Sequence, residues 1–319
     1  MDATVAHGCD ADAPSSIPVR GWREVLGRAL RRVYEDRLLT EAAAVAFYAL
    51  LALAPALAVL VSVYGLAADP ATAPERLRAV AGTLPAGGAE VVEALVGRLA
   101  ARGSGNFGLR LAAGLGVALW SAGAAASALI GALNTAHGER ERRGLLRLVA
   151  VSLLVALGGG AFVLLALAGM VAVPVAVSAH PGGAAAAVPM LRQLRWPVLL
   201  VLVAVGLAAL YRYGPSRAAA KWRWVSWGGA LAAAAWLLGS AGISWYADRL
   251  HGYDRVYGSL GAVVGFLTWT WLSCAAVLLG AVVNAEAERQ TARDTTAGPG
   301  APPGERGARA ADAVVLRGE

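Results

Sequence analysis

The stretch YDRVYGSLGAVVGFLTWTWLSCAAVLLGAVVNAEAER (253–289) begins with two charges and two tyrosines, continues through about thirty residues without a charge, and closes on Glu286, Glu288 and Arg289. Crossing a hydrocarbon core takes about twenty helical residues, so a run of this kind reads as a membrane span with polar ends. The whole chain agrees with that reading. Of its 319 residues 58% are hydrophobic and 15% charged, whereas a soluble domain carries about a quarter charged residues. The apolar residues are gathered into long blocks instead of alternating with polar ones, which makes the bilayer the solvent of their outer faces.

Six such blocks are expected as transmembrane helices, at about 42–67, 109–133, 148–177, 191–211, 225–246 and 256–285. The predicted fold class is all-α: a polytopic membrane protein with six spans. Ahead of them, Trp22, Val25, Leu26, Ala29, Leu30 and Val33 recur at three-and-four spacing within 20–40, with Arg23, Arg28, Arg31 and Arg32 on other faces. That pattern predicts an amphipathic helix lying in the headgroup region, its arginines toward anionic lipid. Residues 69–106 read as an outer loop with two short amphipathic helices around PAGG (85–88). The polar segment 1–19 and the tail 289–319, which holds TTAGPGAPPGERGARAAD (295–312), lack the apolar residues to bury a core and are expected to be disordered. Cys9 and Cys274 form no disulfide framework, and no signal-peptide pattern precedes the first block.

Charge sets the expected orientation. The formal net charge is +7, and of 28 basic residues only Lys221 is lysine. Arginines concentrate before the first span, in 140–147 and in 212–223, while the opposing short loops are poor in them. The positive-inside rule therefore places both termini in the cytoplasm. Anionic membrane lipid explains the basic balance, so no nucleic-acid partner is expected.

The candidate functional positions are mostly neutral. Gly261 and Gly265 form a GxxxG pair, and Gly123 and Ser127 give the second span a small face, both suited to close helix packing. Pro55 removes one backbone donor within the first span, near Tyr48. Tyr257, Gly258 and Trp269 complete a set expected to pack helices or line a cavity. On the inner side, ALNTAHGERERR (132–143) and YRYGPSR (211–217) bring Asn134, Glu141, Arg142, Arg143, Arg212 and Arg217 to one face, with Asn284. These are read either as topology and snorkelling charges or as a phosphate or headgroup site, with a bridge between Asn134 and Asn284 as a further option. Gly138 is the expected helix stop.

Four of these blocks, EAAAVAFYALLALAP (41–55), ALNTAHGERERR (132–143), YRYGPSR (211–217) and 253–289, resemble the YihY/BrkB family of bacterial inner-membrane proteins, in order and at matching spacing. The resemblance implies a six-span bundle in the cytoplasmic membrane and, for some members, envelope lipid handling. Many members also carry the inherited label "ribonuclease BN". The chain departs from the family pattern at Ala52, His137 and Val282, where the family offers Ser, Tyr and an acidic residue.

Chemistry favours a binding protein over an enzyme. The four histidines, His7, His137, His180 and His251, are scattered along the chain, so no metal or cofactor site is expected. AAKWRW (219–224) lacks the glycine-rich turn of a nucleotide-binding loop, so no ATPase is expected. No ionisable residue lies near the centre of a span, which argues against proton or sodium coupling. The expected function is binding or transport of an envelope lipid or other amphiphile, with homo-oligomerisation open. A membrane ribonuclease and an envelope assembly scaffold are the alternatives.

Overall fold

The computed structural model describes residues 7–67, 107–178, 187–250 and 260–314. Among them the regular elements are helices: α1 Val19–Glu35, α2 Leu38–Ala67, α3 Phe107–His137, α4 Leu145–Ser178, α5 Ala187–Tyr213, α6 Trp222–Leu250, α7 Gly261–Arg289 and the short α8 Arg309–Asp312. An isolated bridge between Ala220 and Thr296 is the extended pairing present among the described residues. Ala112–His137, Leu145–Ala166, Trp222–Tyr246 and Val263–Arg289 are long and apolar enough to cross a membrane. Leu38–Leu53 and Pro197–Tyr213 are shorter apolar stretches within α2 and α5.

The sequence locates each long helix, and the helices of the described residues extend past the expected bounds at the arginine-rich end. α2 begins at Leu38, four residues before the expected 42, and α7 runs on to Arg289 through its two glutamates. Pro55 lies inside α2, and Pro197 inside α5, without ending either helix. The outer loop 69–106 and the positions Tyr257 and Gly258 lie outside the described residues.

Contacts between turns fix the direction of every long helix. The Arg142 N–H donates to Ser216 Oγ, Arg143 Nη2 donates to Gly214 O and Arg28 Nε donates to Glu286. The start of α2, the α3–α4 turn, the α5–α6 turn and the end of α7 therefore share one end of the bundle, and α2 to α7 alternate in direction. α7 is the central helix and packs on α6, α2, α1, α3 and α8; α4 stands at the edge and touches α3 and α5.

Small residues make the tight half of the bundle. The core gathers Ala42 and Val45 of α2, Ala132 and Ala136 of α3, Ala232 of α6 and Ala281 of α7. Where lipid surrounds the helices, association relies on van der Waals contact between close backbones. The closest approach is at Gly228 and Gly280, where a Cβ on either would stand 2.3–2.4 Å from the other's carbonyl oxygen. A second close approach to α7 is at Gly239 of α6, where a Cβ would stand 2.6 Å from Leu272. No described atom lies within 4 Å of a Cβ placed on Gly265, and Gly261 is buried at the first turn. Burial also changes along α7: residues 281–288 are all buried, whereas 264–275 are all partly exposed. Among the described residues, burial is thus greater at the arginine-rich end than toward the other.

Parts of the two terminal segments expected to be disordered lie among the described residues. Residues 7–18 and 290–314 pack together on the arginine-rich end, although neither has an apolar core of its own. Their order comes from backbone groups that find partners: Thr291 Oγ1 donates to the carbonyls of Cys9 and Ala11, and Gln290 Nε2 to that of His7. Arg306, itself buried, donates to the carbonyls of Ala292, Arg293, Ala301 and Ala311. Composition reports what a segment buries by itself and is silent on a surface supplied by other helices.

Candidate functional site

The last turns of α7 carry NAEAER (284–289). Residues two apart on a helix point about 200° apart, so Glu286 and Glu288 face opposite neighbours. Glu286, 1% exposed, meets α1: its Oε2 accepts from Arg28 Nε at 2.8 Å and its Oε1 from Arg32 Nη1 at 3.2 Å, with Arg289 Nη1 at 3.0 Å. Glu288, fully buried, faces the α5–α6 turn, where Arg217 Nη2 lies 2.7 Å from its Oε2 and Thr295 Oγ1 donates at 2.9 Å. Burying a carboxylate is costly unless its charge is matched and its lone pairs are filled; arginines match the charge of both glutamates, while Glu288 Oε1 has no hydrogen-bond partner among the described residues.

Arg32 has a second role. α3 ends at His137, and Gly138 follows with φ +69, the left-handed stop expected from sequence. The last carbonyls of a helix have no internal partner, and Arg32 donates to those of Thr135 at 3.2 Å and Ala136 at 3.1 Å. Arg309 of α8 donates to the carbonyl of Gly138 at 3.1 Å. α1 and α8 thus close the end of α3. The amphipathic reading of α1 is corrected here for two of its arginines: Arg28 and Arg32 turn inward to Glu286 instead of outward.

The residues expected to hold a headgroup are largely committed to one another. Asn134 Nδ2 donates to Glu141 Oε2 at 2.9 Å, and the Ser216 N–H donates to Asn134 Oδ1 at 2.7 Å. Arg143 pairs with Glu141 at 2.9 Å and donates to Gly214 O at 2.6 Å. Burial alone raises the Glu141 pKa, but donation from the Arg143 N–H and Asn134 and the Arg143 charge hold it below the ordinary range. Arg212 donates to Ala220 O and lies 5.4 Å from the Tyr213 ring and 5.1 Å from that of Trp222. Arg217 is spent on Glu288 and Ala218 O. Of these four arginines, Arg142 has its side chain exposed.

Asn134 and Asn284 do not meet. Asn284, also buried, accepts from the Gly228 N–H at 2.8 Å and donates to Val225 O at 3.2 Å, which locks α7 to the start of α6. Sequence reasoning missed Glu286, Glu288, Arg28, Arg32 and Gly280 as organising residues. One signal was available: carboxylates closing an apolar run need cations, and Arg28 and Arg32 lie four apart on one helix face.

In the half of α7 that is only partly buried, α6 and α7 form an aromatic seam. Trp269 Nε1 donates to Ser240 Oγ at 3.0 Å, and Trp236 Nε1 donates back across the seam to Ser273 Oγ at 3.1 Å. The two indoles lie 6.4 Å apart, and Phe266 is 5.9 Å from Trp269. With their N–H groups satisfied, the rings present apolar faces. Elsewhere Ser127 Oγ donates to Ser152 Oγ at 2.8 Å between α3 and α4, and a Cβ on Gly123 would make ordinary contact with Leu153. Tyr48 is exposed beside Phe47, at 5.7 Å, and Pro55 is half-buried.

Alternating apolar helices around a polar end define a multi-pass membrane protein. Residues 29–305 match the family model described as "Virulence factor BrkB", and the chain belongs to that family. It is 29% identical over 189 residues to "Putative ribonuclease-like protein YfkH" of Bacillus subtilis (strain 168), covering 56% of this chain and 66% of YfkH. It is 36% identical over 86 residues to "UPF0761 membrane protein Mpe_A1422" of Methylibium petroleiphilum, covering 27% of this chain and 20% of that protein. To "UPF0761 membrane protein Nmul_A0452" of Nitrosospira multiformis it is 35% identical over 119 residues, 37% of this chain and 27% of the relative. The chain thus spans just under two thirds of YfkH and about a quarter or less of these two UPF0761 proteins. No solved structure matches.

Proposed function

We propose that this BrkB-family protein crosses the bacterial cytoplasmic membrane six times, α2 to α7, with both termini and the arginine-rich end in the cytoplasm. It binds or moves an envelope lipid or other amphiphile in the less buried half of the bundle, with no ATPase or catalytic centre of its own. The orientation is supported by the clustering of the α3–α4 turn, the α5–α6 turn and both chain ends on one side, together with the arginines they carry. The observation that carries the binding reading is the contrast along α7. Its inner half is sealed in protein, whereas residues 264–275 stay partly exposed beside the Trp236–Trp269 seam. Apolar ring faces with satisfied donors suit acyl chains, and Thr268, Thr270 and Ser273 bond back to their own helix, so they present little polarity there.

Native mass spectrometry of protein released from mild detergent tests this. The wild type is expected to retain lipid, and the Trp236→Ala/Trp269→Ala variant to lose about tenfold in retention, the equivalent of 1.4 kcal/mol of ring contact. Equal retention by a folded variant overturns the site.

The name of YfkH raises a ribonuclease reading. In this chain Glu286 and Glu288, the two carboxylates in the last turns of α7, are held by arginines, which leaves them poor ligands for a catalytic cation. RNA incubated with the purified protein and magnesium or manganese is expected to stay intact; cleavage that Glu286→Gln or Glu288→Gln abolishes would reverse the assignment.

A further inference from the structure

α1 has three faces. Taking 100° per residue, Gly21, Val25 and Ala29 are buried against the 7–17 segment and α7, while Val19, Leu26, Leu30 and Tyr34, with Arg23 among them, fall within about 80° of arc and are exposed. Arg20, Glu24, Arg31 and Glu35 occupy the third face, where Arg31 and Glu35 pair at 2.7 Å. A helix in water has no use for a second apolar face, and Tyr34 is 86% exposed. Protein, hydrocarbon and water on three sides describe a helix at a membrane boundary.

Two other elements of the same end repeat the arrangement. Leu145 and Leu146, 77% and 88% exposed, open α4 among the exposed Arg142 and Arg147. Tyr213, Trp222 and Trp227 are exposed at the α5–α6 corner beside Arg212 and the exposed Arg223. α4 touches α3 and α5 whereas α1 touches α7 and α2, so those two lie on different sides of the bundle, and the α5–α6 corner adjoins α1, where Trp22 and Trp227 stand 5.7 Å apart. A ring of this shape fits a sheet-like partner better than a single docked protein.

We propose that α1, the first turn of α4 and the α5–α6 corner form one seat on an anionic lipid leaflet. Their aliphatic and aromatic residues enter the acyl boundary, and Arg23, Arg142, Arg147 and Arg223 meet lipid phosphates. This rests on the membrane-spanning reading and adds the plane at which the bundle rides. Val19, Leu26 and Leu30 fix α1 at the headgroup level, and the folded terminal segments lie below it in water. Basic residues near such a surface each favour anionic lipid severalfold, and the exposed charge around the ring is predominantly arginine.

The test places a bimane label at Leu30→Cys, Leu146→Cys or Arg31→Cys in a Cys9→Ser/Cys274→Ser background. The full chain is reconstituted in phosphatidylcholine vesicles containing phosphatidylglycerol, and either lipid is brominated in turn. Labels at Leu30→Cys and Leu146→Cys are expected to be quenched by brominated lipid and shielded from iodide, and the label at Arg31→Cys the reverse. Brominated phosphatidylglycerol is expected to quench the first two about twofold or more above brominated phosphatidylcholine. Iodide access at Leu30→Cys equal to that at Arg31→Cys overturns the seat, as does shielding from both quenchers, which marks a second copy or another protein there. Equal quenching by the two lipids overturns its anionic preference. Lipid retention at the Trp236–Trp269 seam is read separately, so either proposal fails without the other.

Discussion

Glu288 and the side chain of Arg217 are buried, and one contact of 2.7 Å joins them. Removing one member of such a pair strands the other, at a cost of about 3–5 kcal/mol, whereas replacing both by apolar residues of similar size is close to neutral. Glu288→Leu is therefore expected to lower the thermal unfolding temperature in detergent sharply, and Arg217→Met/Glu288→Leu to recover most of it. A double variant no better than the single would show that other charges carry the site. Gly280→Ala belongs to the same scale. Its Cβ would meet the Gly228 carbonyl at 2.4 Å, so a loss of about 1–3 kcal/mol is expected by the same assay. Gly265→Ala, with no described atom within 4 Å, is expected to be neutral.

At the scale of elements, the terminal segment 290–314 depends on polar bonds to backbone, to which the side chains of Asp294 and Arg306 both contribute. Burial alone would raise the Asp294 pKa, but donation from Thr296 and the Ala301 N–H, with the Lys221 charge, lowers it from 3.8. A carboxyl depressed on folding stabilises above its unfolded pKa, and that contribution is lost as pH falls through the folded value. Hydrogen exchange in 290–314 is expected to quicken below about pH 3.8 and to lose that acid step in Asp294→Asn. An unchanged acid step in the variant would assign it to another group. Arg306→Lys should loosen the same segment, since an ammonium does not span the four carbonyls that the guanidinium and its Nε reach. These segments were not legible in the sequence. Gly, Pro and Ala content says only that a chain buries little on its own, and the surface that orders 290–314 is built by residues far from it. The pairing of Arg28 with Glu286 spans 258 positions for the same reason.

For the whole molecule, apolar block length alone located α2 to α7, because the bilayer thickness and the helical rise leave little freedom in how a long uncharged run folds. Arginine placement grouped the two turns that the structure brings together through Ser216 and Gly214. What the sequence left open was which polar groups pair, since Arg143, Arg212 and Arg217 are equally suited to lipid phosphate and to neighbouring carbonyls and carboxylates. The central claim is six crossings with the arginine-rich end inside. Cysteine labelling in intact cells tests it most directly, with Arg142→Cys, Arg309→Cys and Asp254→Cys placed one at a time in the Cys9→Ser/Cys274→Ser background. An impermeant maleimide is expected to label Asp254→Cys in intact cells and the other two only after permeabilisation; labelling of Arg142→Cys and Asp254→Cys from the same side contradicts the topology.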